Sequence, residues 1–362
     1  MPKALDKEGL SEEDNLREKY AEKYIEISKE HDRLGKVLNQ DLEKLLEDGN
    51  IDILSVTYRI KDVDKFLEKI KRKKYDSPFN DIKDICGLRI ICYYTSDLDK
   101  IYSIIENEFD ILEIVDKVDL LKDDRFGYLS RHYIIKLKND WLKTPSYRDL
   151  DDLVAEIQVR TILQHAWADI SHKLVYKKEE QIPRQFKRKL NSLSCILENS
   201  DIQFDSLRDD RSKYIDEISE KAVESGNFDL NQELNLDSFS AFLDFYFPDR
   251  IKDIDSISEL LDEILAFNKQ YNKNISFKAI LDAYKKSEEY LAIFDLSRVK
   301  EVKRKEIEKL KKEDPFKFKE ESEKYKFFSQ AGIVRMSLEN SYKDYKYYPR
   351  LRRKGEFEKV ID

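Results

Sequence analysis

Glycine and proline are scarce, at eight and seven in 362 residues. So few residues that break helices or allow tight turns argue against a fold of many short strands and hairpins, and for many helices. Cysteine is scarcer: Cys86, Cys92 and Cys195 make no CxxC pair and no disulfide framework. There is no signal-peptide pattern and no long apolar run, so a soluble protein of the reducing cytoplasm is expected, away from membranes. No GxxxxGK[ST] occurs, so a P-loop is excluded.

Charge is plentiful. Charged residues make up 39% and apolar residues 40%, enough apolar material for a core beneath a heavily charged surface. The net charge of −8 argues against a general nucleic-acid binder. Basic runs occur locally, as KRKK (71–74), RQFKRK (184–189) and LRRK (351–354), although a solvated helix face produces the same pattern. The length implies two or three domains.

The stretch EIQVRTILQHAWADISHKLVYK (156–177) changes period within itself. Glu156, Gln158 and Arg160 alternate with Ile157, Val159 and Thr161, which predicts a half-buried strand. Leu163, Trp167, Ile170 and Leu174 then mark one helical stripe, and His165, Asp169, His172 and Tyr176 another. Strand patterns also occupy 51–61, 86–94 and 111–118, and FGYLSRHYIIKLK (126–138) reads as a loop entering a strand. Asp62 can cap a helix with Val63, Phe66, Leu67 and Ile70 on its apolar face. These elements predict an α+β core at roughly 50–177, preceded by a helical segment at 1–50. The amphipathic stretch from Ile182 is expected to pack on that core. Residues 216–362 read as an all-helical region, in which FSAFLDFYFPD (239–249) is core material.

Four clusters could carry chemistry. Arg59 and Lys61 share a strand face and are followed by Lys65, Lys69 and Arg72 on the next helix; cations beside a helix N-terminus suit a polyphosphate, and an exposed basic helix would look the same. In DICGLRI, Asp84 and Arg89 flank Gly87, which allows close backbone approach, while Asp84 could equally cap a turn. In GYLSRH, Tyr128 can offer a flat face to a base or pack on the core edge. Glu156 stands on the polar face of its strand, where a carboxylate can also be merely solvated. Asp84 and Glu156 are the carboxylates best placed to share Mg²⁺, which takes few protein ligands and keeps water and phosphate oxygens. Zinc is disfavoured because His165 and His172 stand seven residues apart, and His172 fits a buried structural role. Ser130 and His132 could belong to a triad, but no nucleophile elbow marks the serine.

Taken together, RIK…K, DICGLRI, GYLSRH and EIQVRTILQHAWADISHKLVYK resemble, in order, the motifs of the RelA/SpoT family of alarmone synthetases over about 35–210. The resemblance implies a nucleotidyltransferase-like mixed sheet flanked by helices, with a synthetase domain at 51–215. It implies pyrophosphate transfer from ATP to the ribose 3′-OH of GDP or GTP, giving (p)ppGpp and AMP. Arg59 and Arg89 would sandwich adenine, and Lys61 and Lys69 would hold the ATP phosphates. Asp84 and Glu156 would bind Mg²⁺, Glu156 also taking the hydroxyl proton. Tyr128 would stack on guanine, with His132, Gln158 and Arg160 shaping the acceptor side. Trp167 would anchor the Glu156 strand from the helix behind it.

Three residues depart from the family pattern: Lys65 for a serine, Leu129 for a basic residue, and Arg131 for an apolar one. They shift positive charge around the nucleotide sites and bear on the acceptor. Toxic family members that pyrophosphorylate the 3′ CCA end of tRNA are therefore an alternative, with 216–362 as a built-in antitoxin, a phage sensor or the site of a protein regulator. A catalytically dead nucleotide-binding module is a third. No hydrolase half is expected, since His31-Asp32 lacks the further histidines of an HD metal site. Relatives that form tetramers raise a homo-oligomer as a further expectation.

Overall fold

The computed structural model describes residues 12–73, 75–116, 131–174 and 183–346. It divides into two compact units, Met1–Arg208 and Asp209–Asp362.

The first unit opens with helix α1 (Glu12–Asp48) and strand β1 (Ile53–Ile60), then α2 (Val63–Lys73), the short α3 (Pro78–Asp81), β2 (Cys86–Cys92), α4 (Leu98–Glu108) and β3 (Phe109–Asp116). It continues with β4 (Arg131–Leu137), the short α5 (Asn139–Leu142), β5 (Ala155–Thr161) and α6 (Ile162–Leu174), and takes in the first part of α7 (Arg184–Ser225). The strands form one mixed sheet in the order β1-β2-β5-β4-β3, with β2 and β5 parallel and the other pairs antiparallel. Strand alternation sends Val56, Leu88, Ile90, Ile157 and Val159 to a buried face. Helix α1 covers that face through Leu34, Leu38, Leu42 and Leu46, every fourth residue and each buried, at about 1.5–3 kcal/mol per leucine. Gly35 lets α1 approach closely, since a Cβ there would lie 2.4 Å from the Tyr58 ring. With one face committed to the core, the other carries Arg59, Arg89, Glu156, Gln158 and His132.

Asp62 starts α2 as its spacing predicts, its Oδ1 accepting from Asp64 N at 2.9 Å. The N-terminus of α6 carries a signal that the stripe reading overlooked, the T-x-x-Q of Thr161 and Gln164. Thr161 Oγ1 accepts from Gln164 N at 3.1 Å, and Thr161 N donates back to Gln164 Oε1 at 3.0 Å, a reciprocal capping box. This pair ties α6 to β5. Trp167 is half-buried and, among the described residues, is not one of the side chains packed on the sheet core, while Ile170 and Leu174 are 53% and 63% exposed. Helix α7 departs from expectation in the same way. Its inward face is polar: Asp201 accepts from Thr161 Oγ1 at 2.7 Å, Asp205 from Ser96 N at 3.2 Å, and Arg208 donates to Asp97 at 2.7 Å. Phe186, Leu193, Ile196, Phe204 and Leu207 are exposed. Helical period reveals an amphipathic segment, but not which of its faces turns inward.

The second unit comprises the remainder of α7, then α8 (Leu236–Tyr246), α9 (Ile254–Tyr271), α10 (Phe277–Val299), α11 (Arg304–Glu313), α12 (Pro315–Lys324) and α13 (Gln330–Ser341). Its core is aromatic, with Phe228, Phe239, Phe242, Phe267, Phe277 and Tyr345 buried together, so FSAFLDFYFPD is core as its pattern predicts. Asn235 and Ser238 form a capping box at the start of α8. The buried Asp295 accepts from Arg250 Nη2 at 2.7 Å and from Phe327 N and Phe328 N at 2.9 and 3.0 Å. No helix among the described residues is long and apolar enough to cross a membrane.

Candidate active site

The polar face of the sheet gathers most of the predicted residues. Antiparallel pairing sets Arg59 opposite Gly87, and parallel pairing sets Gly87 beside Glu156. Arg89 lies beside Gln158, and His132 lies opposite Gln158 from the other side. Strand register alone therefore brings Arg59, Arg89, Glu156, Gln158 and His132 together from four separate segments.

Asp84 stands just before β2, where Lys61 N donates to Ile85 O at 2.9 Å. Lys61 Nζ lies 2.8 Å from Asp84 Oδ2, and Lys69 Nζ lies 2.9 Å from Oδ1. Burial works to raise the Asp84 carboxyl, but the two lysines outweigh it and hold it below the usual carboxylate range. Two cations thus share one carboxylate, leaving excess positive charge where a phosphate chain would lie. Lys65 and Arg72 on the same helix are exposed.

A continuous hydrogen-bond chain crosses β4 and β5. His132 Nδ1 meets Glu156 Oε1 at 2.9 Å, Gln158 Nε2 donates to Glu156 Oε2 at 2.8 Å, and Arg160 Nη2 donates to Gln158 Oε1 at 3.1 Å. Burial pushes the Glu156 carboxyl up, yet the hydrogen bonds from His132 and Gln158 bring it below its ordinary value, while the nearby charge of Asp84 opposes them. Glu156 is therefore an oriented, ionised carboxylate close enough to Asp84 to feel its charge. Beyond it, burial and then the neighbouring Arg89 charge lower Arg160 to about 10.

Arg131 does not join this face. One residue from His132, it points to the opposite side of β4, where its guanidinium lies 4.2 Å from the centre of the Tyr102 ring and Nη1 is 3.5 Å from Tyr133 OH. The expectation that it adds charge beside the nucleotides overlooked this alternation. Tyr128 and Leu129 lie outside the described residues, as does the side chain of His172. His31 is buried, with Nδ1 2.9 Å from Ile27 O of its own helix.

No group of three or more histidine, cysteine, aspartate or glutamate side chains poised for a metal occurs among the described residues. The donor set at the site is two carboxylates, Asp84 and Glu156. Two hard oxygen ligands suit Mg²⁺, whose remaining positions go to water and phosphate oxygens, and do not suit zinc.

The family model described as a region found in RelA / SpoT proteins matches residues 58–181, which include every residue of this site. The chain is 32% identical over 166 residues to the GTP pyrophosphokinase YjbM of Bacillus subtilis (strain 168), covering 45% of this chain and 75% of the relative. It is 30% identical over 154 residues to the GTP pyrophosphokinase YwaC of the same organism, covering 41% and 70%. The crystal structure of the small alarmone synthetase 1 from Bacillus subtilis aligns at 26% identity over 53% of this chain and 98% of that one, with a TM-score of 0.45.

Proposed function

The chain belongs to the RelA/SpoT family, and on that premise we propose that it transfers pyrophosphate from ATP to the ribose 3′-OH of GDP or GTP, releasing AMP. The observation that carries the reading is the pair of lysines converging on Asp84 beside the oriented carboxylate of Glu156. Both curated relatives are GTP pyrophosphokinases, and their similarity supports a pyrophosphotransferase.

The side chains supply the positioning and charge that phosphoryl chemistry needs. Arg59 and Arg89 flank the donor base. Without nucleotide, Asp84 keeps Lys61 and Lys69 in place; incoming ATP phosphates take over the lysines and release the carboxylate oxygens. Asp84 and Glu156 would hold Mg²⁺, which when bound would supply neutralisation of charge on the transferring group. Glu156 accepts a hydrogen bond from the 3′-hydroxyl and receives its proton as the new O–P bond forms, while the bond between the α-phosphate oxygen and the β-phosphorus breaks and AMP leaves. His132 and Gln158 keep that carboxylate aimed.

A guanosine acceptor is favoured over tRNA because Arg131, one of the cations suited to an RNA backbone, faces away from the site. The test is to incubate the purified chain with ATP and Mg²⁺, adding GDP, GTP or tRNA in turn. Stoichiometric AMP and 3′-pyrophosphorylated guanosine nucleotide support the reading. Product on tRNA alone replaces the acceptor, and ATP binding without AMP release removes the reaction.

A further inference from the structure

Among the described residues, two buried polar atoms beside the donor residues have no hydrogen-bond partner, Arg160 Nε and His165 Nδ1. Arg160 is only 7% exposed, and its guanidinium makes one hydrogen bond, to Gln158, and no ion pair among the described residues. An idle N–H on a buried cation is costly unless something fills the position opposite it. His165 is idle in the complementary sense. Its Nε2 lies 3.8 Å from Asp169 Oδ2, which favours the proton on that nitrogen. Burial lowers the proton affinity of the ring, Asp169 opposes this, and the Arg89 and Arg160 charges reinforce it; the net shift keeps the ring neutral. Nδ1 is then a bare acceptor. The neighbourhood therefore holds one unused donor and one unused acceptor.

Their location is on the donor side, and not on the acceptor side that the resemblance implied for Arg160. Helix α6, which carries His165, packs on β5 and β2. Strand β2 holds Arg89, whereas His132 approaches from β4 on the other flank of β5. The charges that act on Arg160 include those of Arg89, Asp169 and Arg59.

We propose that Arg160 Nε and His165 Nδ1 read the edge of the base held between Arg59 and Arg89, and so select adenine. The inference rests on the proposed use of ATP as pyrophosphate donor. Arg160 Nε–H donates to N7, and the 6-amino group donates to His165 Nδ1. Adenine presents this acceptor–donor pair along one edge; guanine and hypoxanthine present two acceptors, which would set O6 against the Nδ1 lone pair. An enzyme that takes ATP as donor and a guanosine nucleotide as acceptor needs this distinction to keep GTP out of the donor site.

The experiment compares ATP, ITP and 7-deaza-ATP as donors to GDP, and measures the equilibrium binding of each, with the full-length wild-type chain, His165→Leu and His165→Gln. The wild type is expected to prefer ATP over ITP by roughly tenfold to a hundredfold in kcat/KM. His165→Leu brings the ratio towards one by raising the KM for ATP, with little change in kcat. His165→Gln keeps an acceptor and restores part of the preference. 7-deaza-ATP, which needs no substitution in the protein, is used about tenfold less well than ATP. An unchanged ATP-to-ITP ratio in His165→Leu, a KM change confined to GDP, or equal use of ATP and 7-deaza-ATP each overturns the base reading while leaving the proposed reaction standing. Selective ATP binding that is lost in His165→Leu, without product from the wild type, supports the base reading and overturns the reaction. A wild type that binds no ATP overturns both.

Discussion

Each unit buries an arginine, and the two arginines have opposite surroundings. In the helical unit, Arg250 donates to Asp295 and to Phe328 O, while Asp295 also accepts two backbone N–H groups. Both charges of that pair are answered among the described residues. In the sheet unit, Arg160 has one amide oxygen, an idle Nε and the neighbouring charge of Arg89. A satisfied buried ion pair is a structural clamp; a half-satisfied cation on the polar face of a site awaits a ligand. The same contrast separates Glu263, paired with Arg335 inside the helical unit, from Asp84, whose two lysines leave positive charge in surplus.

The sharpest way to break this comparison is at the clamp. Asp295→Ala leaves Arg250 buried and unpaired, and is expected to cost about 3–5 kcal/mol in denaturant unfolding of the helical unit. At the site, Glu156→Gln is expected to lower pyrophosphate transfer by about 10²–10³-fold or more in a labelled-ATP assay, with thermal stability preserved. Lys61→Met should raise the KM for ATP by about tenfold or more, seen in initial-rate kinetics, because a phosphate contact is lost while Lys69 remains.

A smaller effect concerns the α7 clasp. Burial, and then the Asp205 charge, raise Asp201 from an ordinary 3.8 to about 7. Between those values the folded chain keeps a proton that the unfolded chain has released. Stability from this group is complete below the lower value and falls as pH rises through the window, by at most about 1.4 kcal/mol per pH unit. Asp201→Asn should flatten that slope in melting curves taken from pH 5 to 8. The smallest expected effect is the counterpart of the clamp variant: Arg160→Met should change unfolding free energy by only about 1 kcal/mol, since it removes a buried cation that makes no ion pair among the described residues. A loss as large as that of Asp295→Ala would erase the contrast between the two arginines.

The sheet and its polar face were legible because 51–61 reads as a strand, 86–94 is rich in β-formers and 156–161 alternates, and strand register does the rest. The helices of the second unit were legible from their apolar period, and the aromatic run at 239–249 from its density. What pattern could not give was direction. Arg131 and His132 are adjacent in sequence yet turn to opposite faces, and the inward face of α7 is polar. The Thr161–Gln164 box was present as T-x-x-Q and was overshadowed by the stripe that follows it. Idle atoms such as Arg160 Nε are invisible to any sequence reading, because only packing shows that a donor is buried and unmet.

In the proposed reaction Glu156, aimed by His132 and Gln158, serves pyrophosphate transfer to a guanosine nucleotide. Its most direct test follows the γ-phosphate label of ATP with GDP, GTP and tRNA present together, in wild type and Glu156→Gln. Label is expected on guanosine nucleotide in the wild type and almost none with Glu156→Gln. Label on tRNA alone, or equal transfer by both proteins, would contradict it.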